Sequence, residues 1–101
     1  MNRPRFIVNR LMVPYLNEAV RLAEESVASP EDIDTAIILE LNYPVGPFEM
    51  IDTGCVELTV NVLDRFSKAF SDVWYAPRET LRTMLKGGKT GRRAGEGFYK
   101  Y

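Results

Sequence analysis

The chain has 101 residues, 46% of them hydrophobic and 27% charged, with a formal net charge of −1 at pH 7, the balance of a soluble globular domain rather than a disordered or fibrous one. One domain is expected: a dinucleotide-binding βαβ half alone takes on the order of 100 to 150 residues, so a complete two-domain enzyme is excluded by length. A domain of this size buries only about 60 to 65% of the surface its unfolded chain exposes, so apolar area should be left over for a partner.

The N-terminal segment opens with Pro4 among arginines, which reads as an extended lead-in before Phe6. From Phe6 to Ala28 the apolar residues Ile7, Val8, Leu11, Met12, Tyr15, Leu16, Ala19, Val20, Leu22, Ala23 and Val27 follow a helical repeat. Pro14 lies inside that stretch and predicts a kink one turn earlier, with two shorter helices as the alternative. Ser29-Pro30-Glu31-Asp32 combines an N-cap hydroxyl, proline at the first helical position and first-turn acids, so a second helix should run from Pro30 to about Leu39. Asn42-Tyr43-Pro44 ends it, and Gly46-Pro47 starts a short third helix to about Thr53. Val56, Val60, Leu63, Phe66 and Phe70 mark one face of a fourth helix, and a fifth is expected from about Arg78 to Lys86. Five glycines between positions 87 and 97 then make a loop that should deliver Phe98, Tyr99 and Tyr101 to a packing surface. Strand signals are weak, so the fold class is all-α, a compact bundle of about five helices.

Composition narrows the chemistry. Histidine is absent, which removes the commonest general base near neutral pH and the commonest metal ligand. Cys55 is the single cysteine, so neither an intrachain disulfide nor a cysteine-held zinc site is available, and a reducing, cytoplasmic setting fits. No apolar run approaches the ~20 residues of a membrane span, and Met1-Asn2-Arg3-Pro4-Arg5 lacks a signal-peptide core. Charge is uneven: three arginines and no acid in residues 1–14, three bases against twelve acids in 15–75, and seven bases against two acids in 76–101. Solvated faces with the basic ends beside the acidic middle are the simpler reading; an anion bound by the basic ends is the alternative.

Gly87-Gly88-Lys89-Thr90-Gly91 does not make a phosphate loop, because Thr83 stands where that motif needs glycine and a helix, not a strand, precedes it. Arg92 and Arg93 with Lys86, Lys89 and Lys100 near Phe98, Tyr99 and Tyr101 could form a nucleic-acid surface, but a pI of about 5.4 argues against a polyanion partner. Glu49 reads as a first-turn acid favoured by the helix dipole, and Tyr43 and Trp74 as core or interface aromatics. Asn9, among apolar residues one turn into the first helix, has an exposed or capping role as its simplest reading.

Four ordered segments carry a family resemblance: Phe6-Ile7-Val8-Asn9-Arg10-Leu11-Met12-Val13-Pro14-Tyr15, Ser29-Pro30-Glu31-Asp32-Ile33-Asp34, Asn42-Tyr43-Pro44-Val45-Gly46-Pro47-Phe48-Glu49, and the ending Gly95-Glu96-Gly97-Phe98-Tyr99. In order and spacing, over nearly the whole chain, they resemble the C-terminal domain of the 3-hydroxyacyl-CoA dehydrogenase family. The resemblance implies a helical domain like the C-terminal domain of 6-phosphogluconate dehydrogenase, which forms a homodimer and closes the acyl-CoA cleft. An N-terminal Rossmann domain, absent from these residues, would bind NAD and supply the histidine and glutamate that move the proton. The chain alone is therefore expected to bind no cofactor and not to turn over.

Asn9 occupies the family's asparagine in the "IVNR" motif, which orients the substrate, and is the expected supporting residue for catalysis. Tyr43, Pro44, Val45, Gly46, Pro47 and Phe48 would shape the wall near the acyl group and the dimer contact, a purely structural turn being the alternative. The sequence departs from the family at Arg5, where glycine is common, at Glu40, at Arg93-Ala94-Gly95, and over Thr53-Gly54-Cys55-Val56-Glu57. No metal, nucleic acid or membrane is implied. The competing expectation is a stand-alone oligomerisation or acyl-CoA-binding module without dehydrogenase activity.

Overall fold

Five α-helices build the domain: α1 (Arg3–Glu24), α2 (Pro30–Leu41), α3 (Pro47–Gly54), α4 (Val56–Phe70) and α5 (Glu79–Lys86), with single 3-10 turns at Val73–Tyr75 and Arg92–Ala94. The computed structural model describes residues 3–101, so Met1 and Asn2 of the N-terminal segment lie outside the described residues. No strand occurs among those residues, only isolated bridges from Glu96 to Gly91 and Lys100.

The first helix corrects the sequence reading at both ends. It begins at Arg3 instead of following an extended lead-in, because a proline in the first turn lacks only an N–H that would have no intrahelical partner. It stops at Glu24, short of Ala28, where Ser26 takes φ 59° and the chain closes with Val27 N–H on the Leu22 carbonyl and Ser26 N–H on Ala23, the paired pattern of a Schellman end. Pro14 does not divide α1 into two helices, and it is buried.

The other helices follow the sequence closely. Ser29 Oγ accepts from Asp32 N–H at 3.1 Å, and α2 runs two residues beyond the expected Leu39 to Leu41 before Asn42 turns left-handed. Around α1, the buried residues Leu16, Val20, Ile33, Phe48, Ile51, Val56, Val60, Leu63 and Leu81 join all five helices in one core.

Polar side chains, buried Asn17 among them, then tie elements that are distant in sequence. Asn17 donates to the Ala76 carbonyl at 2.9 Å and accepts from Arg78 N–H at 3.0 Å. Glu24 accepts from Thr80 N–H, Thr80 Oγ1 and Arg78 Nε, capping α5 from another helix. Burial pushes the Glu24 carboxyl up, but the Thr80 and Arg78 hydrogen bonds outweigh it and hold the group below its ordinary value. Arg10 lies over the rings of Phe70 and Tyr75, 4.3 and 4.7 Å from their centroids, and donates to the Tyr75 hydroxyl.

Two buried carboxylates do the same for the glycine-rich ending. Asp34 on α2 accepts from Phe48 N–H at 2.8 Å and Glu49 N–H at 3.1 Å, supplying the N-terminal cap that Gly46 cannot give α3, and from the Tyr99 hydroxyl at 2.7 Å. Asp52 accepts from Phe98 N–H at 2.8 Å, Tyr99 N–H at 3.0 Å and the Tyr101 hydroxyl at 2.8 Å. Gly97 is required by this arrangement, since a Cβ there would lie 2.2 Å from Asp52 Oδ1. Desolvation and then the Asp34 hydrogen bond push Tyr99 well above the ordinary phenol value; desolvation and Asp52 push Tyr101 up to about 12. The loop thus delivers Phe98 to the core, where its ring meets Phe48 at 4.7 Å, while Tyr101 stays 48% exposed and is anchored by its hydroxyl.

The C-terminal bases pair with the acidic middle, as the simpler reading expects of that end. Arg78 meets Glu24, Arg82 meets Asp64 and Arg92 meets Glu49, so the basic C-terminal part folds onto the acidic middle.

Candidate functional site

Asn9 stands on α1 one turn above Arg5 and one turn before Met12 and Val13, so these side chains share a face of the helix. That face lines a groove against α4, whose Leu58, Thr59, Val62 and Arg65 recur at helical spacing along the opposite wall. Met50 and Gly54 of α3 close the far end, and the groove encloses about 570 Å³. A smaller depression of about 200 Å³ adjoins it, bounded by Phe6 and Phe66 and sharing Arg5, Asn9 and Arg65.

The groove is polarised along its length. Two guanidiniums flank Asn9 at one end, while Met12, Val13, Leu16, Met50, Leu58 and Val62 supply an apolar floor beyond it, and no carboxylate lines it among the described residues. Arg5 sits in the first turn of α1, where the helix dipole disfavours a cation. The Asn9 amide is half-buried and has no hydrogen-bond partner among the described residues. Such an amide can donate to an oxygen that gains negative charge, or hold a neighbouring group in place, without titrating. It cannot take a proton, and no group of three His, Cys, Asp or Glu side chains able to hold a metal occurs among the described residues.

Tyr43 does not share this groove. It lies on the other flank of α1, beside Val8, Leu11, Met12, Tyr15 and Leu41, over a second hollow of about 430 Å³. Pro44 is exposed next to it, whereas Pro47 and Phe48 are buried beneath, Phe48 with no exposed surface. Five of the residues expected near a substrate are therefore split: Asn9 in the polar-ended groove, Tyr43 and Pro44 at the opposite surface, Pro47 and Phe48 in the packing between. Trp74 belongs to this second face, 46% exposed, so neither Tyr43 nor Trp74 is a core residue of the domain. The Tyr15 hydroxyl is buried there without a partner among the described residues; desolvation, then Tyr43 and Asp34, push it up.

Sequence reasoning passed over the α4 wall and Arg65, because helical periodicity shows that a face is apolar but not what it faces. Asp34, Asp52 and Asn17 were also unflagged. Their signal was present as polar residues on helix faces otherwise committed to the core.

A family model described as the 3-hydroxyacyl-CoA dehydrogenase C-terminal domain matches residues 6–101, and the chain belongs to that family. A probable 3-hydroxyacyl-CoA dehydrogenase of Caenorhabditis elegans is 46% identical over 99 residues, covering 97% of this chain and 32% of the relative. The mitochondrial hydroxyacyl-coenzyme A dehydrogenase of Homo sapiens shows the same identity and coverage. The crystal structure of FadB2 of M. tuberculosis superposes with a TM-score of 0.93 at 35% identity, covering 94% of this chain and 33% of that one. The chain thus spans about a third of the length of the proteins it matches.

Proposed function

We propose that this chain is the substrate-side and dimerisation domain of an NAD-dependent 3-hydroxyacyl-CoA dehydrogenase of fatty-acid metabolism, oxidising 3-hydroxyacyl-CoA to 3-oxoacyl-CoA together with a Rossmann half. The observation that carries the proposal is the half-buried Asn9 amide at the cationic end of an otherwise apolar groove. Asn9 holds the substrate's oxygen beside the catalytic base of the companion domain, so its contribution is positional and electrostatic. Arg65, at the Asn9 end of the groove, favours an anionic carrier such as the phosphate-bearing CoA. The described residues contain no strand running into a glycine-rich helix start, so they do not fit a dinucleotide; NAD, which accepts the hydride, is assigned to the companion half.

The test is reconstitution. The pure chain and a Rossmann half prepared from a relative should each leave NADH unoxidised with acetoacetyl-CoA, and mixing them should give saturable turnover. Turnover by the chain alone at the rate of a two-domain enzyme, or a folded mixture that stays inactive, would overturn the proposal; inactivity with acyl-CoA still bound would favour the stand-alone binding module.

The second face is assigned to the homodimer. Val8 (55% exposed), Leu11 (73%), Leu41 (52%), Tyr43 and Trp74 form an apolar surface on the flank of α1 away from Asn9, larger than scattered surface residues require. Light scattering should give about twice 11.5 kDa for the chain, and Leu11→Glu should give a monomer of unchanged helicity, because a two-fold interface buries the new charge twice. A Leu11→Glu protein that remains dimeric would move the interface elsewhere. No helix of the described residues is long and apolar enough to cross a membrane; the lone Cys55 fits a reducing cytoplasmic setting, which we propose for the protein.

A further inference from the structure

Gly54 is required neither by backbone conformation nor by a close packing neighbour. It is the last residue of α3, its φ is not in the positive range that calls for glycine, and a Cβ built on it would meet nothing within 4 Å. Gly46 and Gly97, by contrast, would drive a Cβ into Asp34 and Asp52. At the last position of α3, beside the Cys55 cap, glycine is tolerated, but neither backbone conformation nor packing requires it there. What its missing side chain leaves open is the apolar end of the Asn9 groove, where it sits with Met50 and Leu58.

The dimensions suit an elongated apolar ligand. From Asn9 to Leu16 the groove follows α1 for seven residues, ~10 Å of helix axis. Over that distance the lining is Met12, Val13 and Leu16 on one side and Val62 and Leu58 on the other. A short acyl group held at Asn9 would end near Met12, well before Gly54. Only a chain several carbons longer reaches the open end.

Resting on the acyl-CoA reading of the Asn9 groove, we propose that Gly54 sets acyl-chain length: it keeps the far end of the groove open for the tail of a medium-length, unbranched acyl chain. The apolar floor contributes binding in proportion to the chain it covers, and a side chain at position 54 removes the last part of that length while leaving the Asn9 end untouched.

The experiment compares the reconstituted enzyme with its Gly54→Leu variant on acetoacetyl-CoA and 3-oxodecanoyl-CoA. The ratio of kcat/KM for the longer over the shorter substrate is expected to fall about tenfold, equivalent to ~1.4 kcal/mol. An unchanged ratio overturns the proposal while leaving the acyl-CoA reading standing. Failure of the unsubstituted assembly to act on either substrate overturns that reading, and the proposal with it. Circular dichroism checks the fold; if Gly54→Leu is not helical, Leu58→Trp, which narrows the same end from the half-exposed wall of α4, is expected to lower the ratio in the same direction, and its failure to do so counts equally against the proposal.

Discussion

Replacing Asn9 by alanine is expected to lower kcat of the reconstituted dehydrogenase by about 100-fold or more while leaving the domain folded, since removing one preorganised donor from a developing oxyanion costs roughly 10² to 10³ in rate. The side chain is half-buried and bonded to none of the described residues, so its removal leaves no buried group unpaired, and the melting midpoint should shift by the equivalent of no more than about 0.5 kcal/mol. Assembly should be unaffected too, because Asn9 lies on the opposite flank of α1 from Leu11 and Tyr43. An amide does not titrate, so the pH profile should keep its shape and fall as a whole. Steady-state kinetics and a thermal melt on the same preparation decide the matter: full activity in the Asn9→Ala enzyme would reduce the groove to a scaffold surface.

Asp52→Ala should be the most damaging single change to the fold. The carboxylate is 1% exposed and accepts from two backbone N–H groups and a tyrosine hydroxyl. Its loss strands the Phe98 and Tyr99 amides, each at about 1 to 3 kcal/mol, and frees the segment that seats Phe98 against Phe48. A total of roughly 3 to 5 kcal/mol is a large share of the stability of a domain this size and corresponds to a fall in Tm of about 15 °C or more. Differential scanning calorimetry measures it directly. A fall of only a few degrees would show that the ending is held by its aromatic packing, with the carboxylate incidental.

What the sequence made legible followed from local chemistry. Ser29, Pro30 and the acids after it placed the start of α2 correctly because capping is decided by the nearest few residues. The period of Val56, Val60, Leu63 and Phe66 gave α4 its bounds for the same reason. Pro4 misled because the same residue is compatible with extended backbone and with a helix's first turn, and only the following contacts choose. The candidate site was half legible. Asn9 carried a motif, whereas Arg65 and Gly54 become part of the site only when α3 and α4 are laid against α1. Tyr43 and Phe48 are five residues apart, yet one is at the surface and the other in the core, a division set by the cap that Asp34 imposes from α2. Side chains that cap a helix other than their own leave no local trace.

That same habit of capping at a distance separates the domain's ties by their response to ionic strength. Arg78 with Glu24, Arg82 with Asp64 and Arg92 with Glu49 are ion pairs near the surface, and added salt screens them. Asp34 and Asp52, themselves buried, are answered by backbone amides and by the Tyr99 and Tyr101 hydroxyls, with no ion pair of their own among the described residues for salt to screen. In concentrated salt the surface pairs of α1, α3, α4 and α5 loosen while the glycine-rich ending stays fastened, so the structural heart of the domain is indifferent to the ions around it.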